Sequence, residues 1–414
     1  MEMEQEQPVG PRRPVALLRL AAVVFGLTLA AGIGEVTLRL LGYGRSYVHA
    51  FSMFYENDDL VGIRGRPHFT GRLKNDEMDA IISNDERGFR KPAREIPSSP
   101  ERQNIFVLGD SFIWGWGVGQ GQVITDRMQE RLPDRRVQNF AVSATGTVQQ
   151  FVIFEKYVLP ELRQGDWVVL SFCGRNDFDD NLGRSHTGRL YATIANGEIR
   201  IIPPDGTSCP NAAMQHLRDA SYLVNLLLYS WNRGSDFCWR AWHAQPEDDV
   251  SAKALPPVVI GDQQPFGDNT PEFMVAAHFL RAFHLACQKH GVGFVVVYVP
   301  RQEEFGELQE FKGAPFSTRE CQTLLRCAAS LGIEVIDLLP RFRMLKAETP
   351  RQRLTYYEGH WNAEGHRVAC ESVCDFLAPR LTLHREKMAK EIHRQPRTFA
   401  DLSSNIADRP IAPN

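Results

Sequence analysis

Ile105-Phe106-Val107-Leu108-Gly109-Asp110-Ser111-Phe112 is the stretch whose reading decides the fold. Four apolar residues run into a glycine, as they do in a strand buried on both faces of a parallel sheet. Downstream, Val123–Leu132 has helical spacing, and Val137–Val142 reads as a second strand. Val148–Leu162 reads as a helix and Trp167–Phe172 as a third strand, apolar except for Ser171. After a gap come a helix over Phe273–His290 and the strongly β-branched strand Val292–Val299. A helix over Thr318–Leu331, a strand over Ile333–Leu338 and a last helix over Ala363–Leu377 complete the series. Strands alternating with helices predict an α/β fold with a parallel sheet covered on both faces.

The gap, residues 179–270, has weak periodicity and several Pro and Gly. A structureless loop of that length is improbable in a compact domain, so an insert with short helices such as Ala220–Trp231 is expected. Residues 44–103 form a polar lead-in that packs on the 104–384 domain, with Asn84–Arg90 (NDERGFR) as a turn between short strands. Residues 385–414 are polar, carry Pro396, Pro410 and Pro413, and read as a disordered tail. The chain has 414 residues, 43% apolar and 23% charged, with a net charge of -3. That supports a sizeable core and gives no support to a nucleic-acid binder held by bulk charge, with a local patch left open.

Hydrophobicity is densest near the N-terminus. Leu20–Gly34 has no charged residue, and the apolar segment extends back to Val15 past Arg19. A spanning helix needs about 20 mainly apolar residues. Arg12 and Arg13 precede the segment and predict a cytoplasmic N-terminus with the rest exported. Residues 1–43 are therefore a stub and membrane anchor, with contact to the bilayer through 15–34. The alternative is a signal peptide cut near Ala30 and Gly32, which would give a secreted protein. Of the eight cysteines, Cys209 and Cys238 are the pair expected to bond, whereas Cys370 and Cys374, four apart on a helix, read as small core residues. No CxxC or HExxH pattern points to a metal, and no cofactor is expected. Gly115, Gly117, Gly119 and Gly121 start too far beyond the strand for a dinucleotide loop, and the second strand reaches Asn139 rather than an acid.

Ligands of open parallel sheets bind beyond the carboxyl ends of the strands. Four loops there carry usable chemistry. Ser111 follows the first strand, either as a nucleophile or as a turn residue capping the next helix. The second strand leads into Ser143-Ala144-Thr145-Gly146, small enough for close backbone approach to a ligand. The third ends in Gly174-Arg175-Asn176-Asp177, where an Asn amide can serve an oxyanion. Glu358-Gly359-His360-Trp361-Asn362 precedes the last helix, with Asn362 as a natural N-cap. Trp116 and Trp361 are candidates for an aromatic floor, with core packing as the commoner fate. His366 reads as structural.

Together GDSF, GRND and HWNAEGH resemble the blocks of the SGNH hydrolases, the GDSL esterase/lipase superfamily. The N-terminal segment and NDERGFR look like its membrane-anchored bacterial branch. The resemblance spans roughly residues 35–380, with gaps in the insert. It implies a flavodoxin-like three-layer α/β/α sandwich with a five-stranded parallel sheet. It implies Ser111 as acyl-accepting nucleophile and His360 as general base. Glu358 stands where the family has Asp, one methylene longer, and Asp337 is a less favoured substitute. The oxyanion hole is implied to comprise Ser111 N–H, Asn176, and the N–H of Ala144, or of Gly146 two residues on. Ala144 replaces a family glycine, and a backbone N–H there requires Gly only if φ is positive.

These readings predict an extracytoplasmic carboxylic ester hydrolase acting on an O-acyl ester, O-acetyl among the options, of an envelope glycan or lipid. The rivals are an envelope polysaccharide O-acyltransferase using the same acyl-enzyme, a non-catalytic glycan-binding protein retaining the fold, and a broad lipase with 179–270 as its lid.

Overall fold

The structure is a computed structural model. It describes residues 13–41, 53–74, 77–174, 176–186, 188–209, 265–307, 318–356 and 358–394, together with 213, 217, 220–224, 226–227 and 230. Side chains of 13–16 and 383–394 are not among those described. Backbone contacts divide the chain into two units: residues 1–88, 187–189 and 203–259, and residues 89–186, 190–202 and 260–414.

In the first unit, helix α1 (Arg13–Leu40) is followed by β1 (Tyr55–Glu56), β2 (Arg64–Gly65), β3 (Thr70–Lys74) and β4 (Asp79–Ser83). β1 pairs with β2 and β3 with β4, both antiparallel. Phe54, Ile63 and Ile82 form a fully buried apolar centre. The Asn84 amide donates to the Phe54 and Arg66 carbonyls at 3.2 Å, tying the turn to that centre. Asn57 and Cys209 exchange two hydrogen bonds, at 2.6 and 2.9 Å. Cys238, the partner expected for Cys209, lies outside the described residues.

The second unit contains β5 (Asn104–Leu108), α2 (Ser111–Trp114), α3 (Ile124–Arg131), β6 (Arg136–Asn139), α4 (Thr147–Ile153), β7 (Trp167–Cys173) and α5 (Asp177–Asn181). There follow the hairpin β8 (Tyr191–Ala195) and β9 (Glu198–Ile202), then α6 (Pro271–Lys289), β10 (Gly293–Val299) and α7 (Arg319–Ser330). β11 (Val335–Asp337), α8 (Leu339–Glu348) and α9 (Ala363–Arg394) end it. Five strands form one sheet in the order β11-β10-β7-β5-β6, all parallel. Every residue of β5 is buried, as are all but the first of β7 and β10, which explains their nearly continuous apolar sequences. α3 packs with α9, and α4 and α5 pack with α6, which also meets α7, so two separate groups of helices flank the sheet. One is anchored by rings: Phe151 and Phe154 meet Phe283, which stacks on Phe294 of β10 at 5.8 Å. This is the expected α/β/α architecture.

Local differences have physical causes. The second strand is shorter than its apolar run, although Phe140 and Val142 still donate to Val107 and Gly109. The helix expected over 148–162 is α-helical only to Ile153, then winds wider over Phe154–Val158 and tighter over Leu159–Glu161, where Pro160 sits. The last helix, expected to end at Leu377, passes Pro379 and runs to Arg394, beyond the tail boundary read at 385. Cys370 and Cys374 are buried core thiols with their sulfurs 3.8 Å apart.

Counted along the sheet, the chain starts at β5, steps to one side for β6 and reverses to the other for β7, β10 and β11. The reversal opens a crevice at the carboxyl ends of β5 and β7. Gly109, just after β5, is pressed against β7. A Cβ there would lie 2.0 Å from Ser171 Oγ and 2.6 Å from Ile113 Cγ1. Gly109→Ala is therefore expected to lose about 1–3 kcal/mol of stability, read as a lower denaturation midpoint, because a tightly packed crossing must spread. An unchanged midpoint would contradict this packing.

Candidate active site

Ser111 opens α2, a short helix fixed at both ends. The Asp110 carboxylate accepts from Phe112 N–H at 3.0 Å, and Gly115 closes the helix in the left-handed region. Ser111 is thereby held at the crevice. As the first helical residue, its N–H takes no intrahelical bond.

His360 and Glu358 share one tight loop. Thr355 and Trp361 form an antiparallel bridge, and Tyr356 N–H donates to the His360 carbonyl at 2.8 Å. Gly359 turns the chain with φ 105°, which a side chain would resist. Asn362 caps α9 as expected: its Oδ1 accepts from Glu364 and Gly365 N–H, while its amide donates to Arg353 O at 2.8 Å. The result places His360 Nε2 2.7 Å from Ser111 Oγ, with Nδ1 hydrogen-bonded to Glu358 Oε2. The longer Glu side chain reaches the imidazole. Asp337 does not compete, since its Oδ1 accepts from Leu339 N–H at the start of α8. The His360 side chain is 22% exposed and that of Glu358 39%, so both can be reached from solvent.

Phe112 packs on the imidazole at 5.0 Å and Trp116 flanks it at 6.1 Å. Trp116 is half-buried at the rim, whereas Trp361 is fully buried against Phe112 and Phe342 and belongs to the core. His366 is buried, its Nδ1 accepts from Ile124 N–H at 3.2 Å, and burial drives its pKa down to about 3. It is a neutral cap for α3.

The expected oxyanion donors differ in state. Asn176 precedes α5, and its amide donates to Asp180 Oδ2 at 2.5 Å, which fixes its plane; an amide carries two donor hydrogens, so one remains for a ligand. Gly146 N–H is engaged by Gln149 Oε1 at 2.9 Å, capping α4. In this structure that N–H is therefore already paired. Ala144 has φ 58°, the left-handed region in which glycine is favoured. The condition under which the missing glycine matters is therefore met.

Three carboxyl groups lie buried here: Asp110, Asp177 and Asp180. Burial pushes the Asp110 carboxyl up to about 6, with the Asp180 charge adding to the rise and the Phe112 bond and His360 opposing it. Burial, then the charges of Asp110 and Asp180, pushes Asp177 well above the usual carboxylate range, although its Oδ2 accepts from Cys173 N–H.

Sequence reasoning missed two supports. Arg90 is buried, and its guanidinium donates to the Gly115 and Val118 carbonyls at 3.4 and 2.7 Å, bracing the loop after Ser111. Its signal was the NDERGFR turn, read there only as a turn. Tyr356 donates to the Gly117 carbonyl at 3.0 Å, linking the histidine loop to the same segment, and nothing local in the sequence announces it.

No known family profile matches the chain, and no curated protein matches it. Among solved structures, it is similar to a lipolytic protein of the G-D-S-L family from Veillonella parvula, with 13% identity and a TM-score of 0.33, covering 66% of this chain and 97% of that one. It is similar to the acetylxylan esterase Axe2 of Geobacillus stearothermophilus, with 11% identity and a TM-score of 0.35, covering 66% and 93%. A third is TesA, with 14% identity, a TM-score of 0.34, and 67% and 99% covered. The fold assignment rests on the strand pairing of the chain itself.

Two outcomes are expected from these residues. Ala144→Gly removes the Cβ strain of the left-handed residue, less the glycine's added freedom in the unfolded chain, and should raise stability by up to about 1 kcal/mol in urea denaturation. A loss would contradict the assigned backbone. Asp110 has a folded pKa above its unfolded value, so its stabilising contribution is full below about pH 4 and is lost as pH rises through about 6. Asp110→Asn should flatten that decline by up to about 3 kcal/mol between pH 4 and 8. Parallel stability–pH curves for the two proteins would refute it.

Proposed function

We propose that this chain is an extracytoplasmic serine esterase that hydrolyses O-acyl esters, O-acetyl groups included, of an envelope glycan or lipid. The observation that carries the reading is the continuous chain from Ser111 Oγ through His360 to Glu358. A serine hydroxyl is a weak nucleophile until a base takes its proton. His360 Nε2 is placed to take it as Oγ attacks the ester carbonyl carbon. Glu358 holds the ring and stabilises the imidazolium. The oxyanion that forms is met by Ser111 N–H, Ala144 N–H and the Asn176 amide. His360 then returns the proton to the departing alcohol oxygen, and the same imidazole activates the water that releases the acid from Ser111. Trp116 beside the imidazole offers an apolar wall for a small acyl group.

Leu17–Leu40 is 24 residues long, its most apolar 18-residue window has a mean hydropathy of 2.0 and lies exposed, and by length and composition it can cross a membrane. We read it as an uncleaved anchor. With Arg12 and Arg13 before it, the rest of the chain lies outside the cytoplasm.

A fluorophosphonate probe applied to the full chain in detergent tests the chemistry. The expected result is one adduct on the native protein, none on Ser111→Ala, and labelling slowed by about 10²–10⁴ for His360→Ala, the range of a general base. A native protein that stays unlabelled, or a Ser111→Ala protein that labels equally, sinks the proposal.

A further inference from the structure

Glu35 has a role that neither the anchor nor the catalytic residues require. It lies on α1, within the first unit, and its carboxylate collects donors from a segment almost two hundred residues away. Oε2 accepts from Ser221 Oγ at 2.8 Å and from Leu223 N–H at 2.9 Å, and Oε1 accepts from Tyr222 N–H at 3.1 Å. Residues 222–224 and 226–227 are helical, and Ser221 Oγ also accepts from Val224 N–H at 3.1 Å. Glu35 thus satisfies, from another helix, backbone donors that a helix start leaves open. Arg39 completes the clamp. It pairs with Glu35 at 2.7 Å, donates to the Ala220 carbonyl at 2.7 Å, and lies over the Tyr222 ring at 4.7 Å. Leu223 packs where Gly34 leaves room, 3.7 Å from the position a Cβ would take.

The depth of this clamp follows from the helix rise. Arg19 and Glu35 bracket the uncharged stretch, and sixteen steps of about 1.5 Å separate them by about 24 Å. A hydrocarbon core is about 30 Å thick, and Arg19 can snorkel, so Glu35 sits at the outer headgroup boundary. What Glu35 holds is held at that level. The segment has the composition of an interfacial element: YLVNLLLYSW over 222–231 contains no charge and carries aromatic residues at both ends. Leu217 and Leu227 are 48% and 59% exposed, a poor arrangement in water and a favourable one at the acyl boundary.

We infer that the segment carrying Leu217, Ser221–Val224 and Leu227 is a second membrane contact, whose exposed leucines face lipid and whose helix start at Tyr222 is locked to the anchor by Glu35 and Arg39. The inference rests on the anchor reading. It assigns the segment to the bilayer rather than to a lid over substrate.

Photo-crosslinking of the full chain in phosphatidylethanolamine–phosphatidylglycerol nanodiscs tests it, with benzoylphenylalanine placed singly at Leu29, Leu227 or Leu285. Leu285 lies on α6 and is 52% exposed. Lipid adducts are expected at 29 and 227 and not at 285. Glu35→Ala should lower the adduct at 227 about ten-fold, as loss of a charged cap does, while leaving that at 29. Ser221→Ala, which removes one of the segment's three donors to Glu35 and the cap on Val224 but leaves the Tyr222 and Leu223 N–H groups on the carboxylate, should lower it less. Lipid at 29 with none at 227, or a cross-link from 227 to a second copy, overturns the inference and leaves the anchor standing. An undiminished adduct at 227 in Glu35→Ala overturns the clamp. No lipid at 29 removes the anchor itself, and the inference with it.

Discussion

The parallel pairing of β5 with β7, from Ile105 opposite Trp167 to Leu108 opposite Leu170, is the constraint on which the second unit depends. Because the chain winds away from that pair in both directions, the loops after the two strands diverge, and polar residues can stand there without being covered by a crossover. Ser111 and Asn176 leave from those two strand ends, and Gly109 keeps them close. The rest of the sheet is apolar filling whose role is to hold this pair in register. His360 comes from a loop far along the chain, and it reaches Ser111 because α9 packs with α3 and brings its own N-terminus to the same edge.

Electrostatics then divides the carboxyl groups by task. Glu358 is substantially exposed and meets the imidazole from the solvent side, where its charge is cheaply hydrated. Asp110 and Asp177 are buried and crowd one another, and their carboxyls are pushed towards the neutral form. Asp180 fixes the Asn176 amide at the price of joining that crowd. Elsewhere a buried carboxylate is fully partnered: Glu304 accepts from Tyr298 Oη, Arg301 N–H, Thr318 N–H and Thr318 Oγ1. The contrast marks the crevice as the place where polar groups are gathered beyond what packing needs.

The parallel sheet was legible because its strands are buried on both faces, so each appears as an unbroken apolar run. Ser111, His360 and Glu358 stood out because each adjoins a structural punctuation: Ser111 just after a strand end, His360 two residues before a helix cap, Glu358 just before a glycine turn. The supports were not. Arg90 and Tyr356 act on carbonyls, which every residue possesses, so no sequence partner betrays them. The donor status of Gly146 was equally hidden, since only the structure shows Gln149 folding back onto it. The extension of α9 past Pro379 runs against local propensity, because a helix already packed on its neighbours tolerates one missing bond.

The loop from Thr355 to Trp361 has one further consequence. Base and acid are separated by a single glycine, and the loop's own bridge and backbone bond hold them in one rigid piece. Any displacement of that piece carries both together, so the imidazole keeps its orienting carboxylate while losing the serine. Among the described residues two hydrogen bonds, Ser111–His360 and Tyr356–Gly117, and the packing of Phe112 and Trp116 on the imidazole tie that piece to the serine segment.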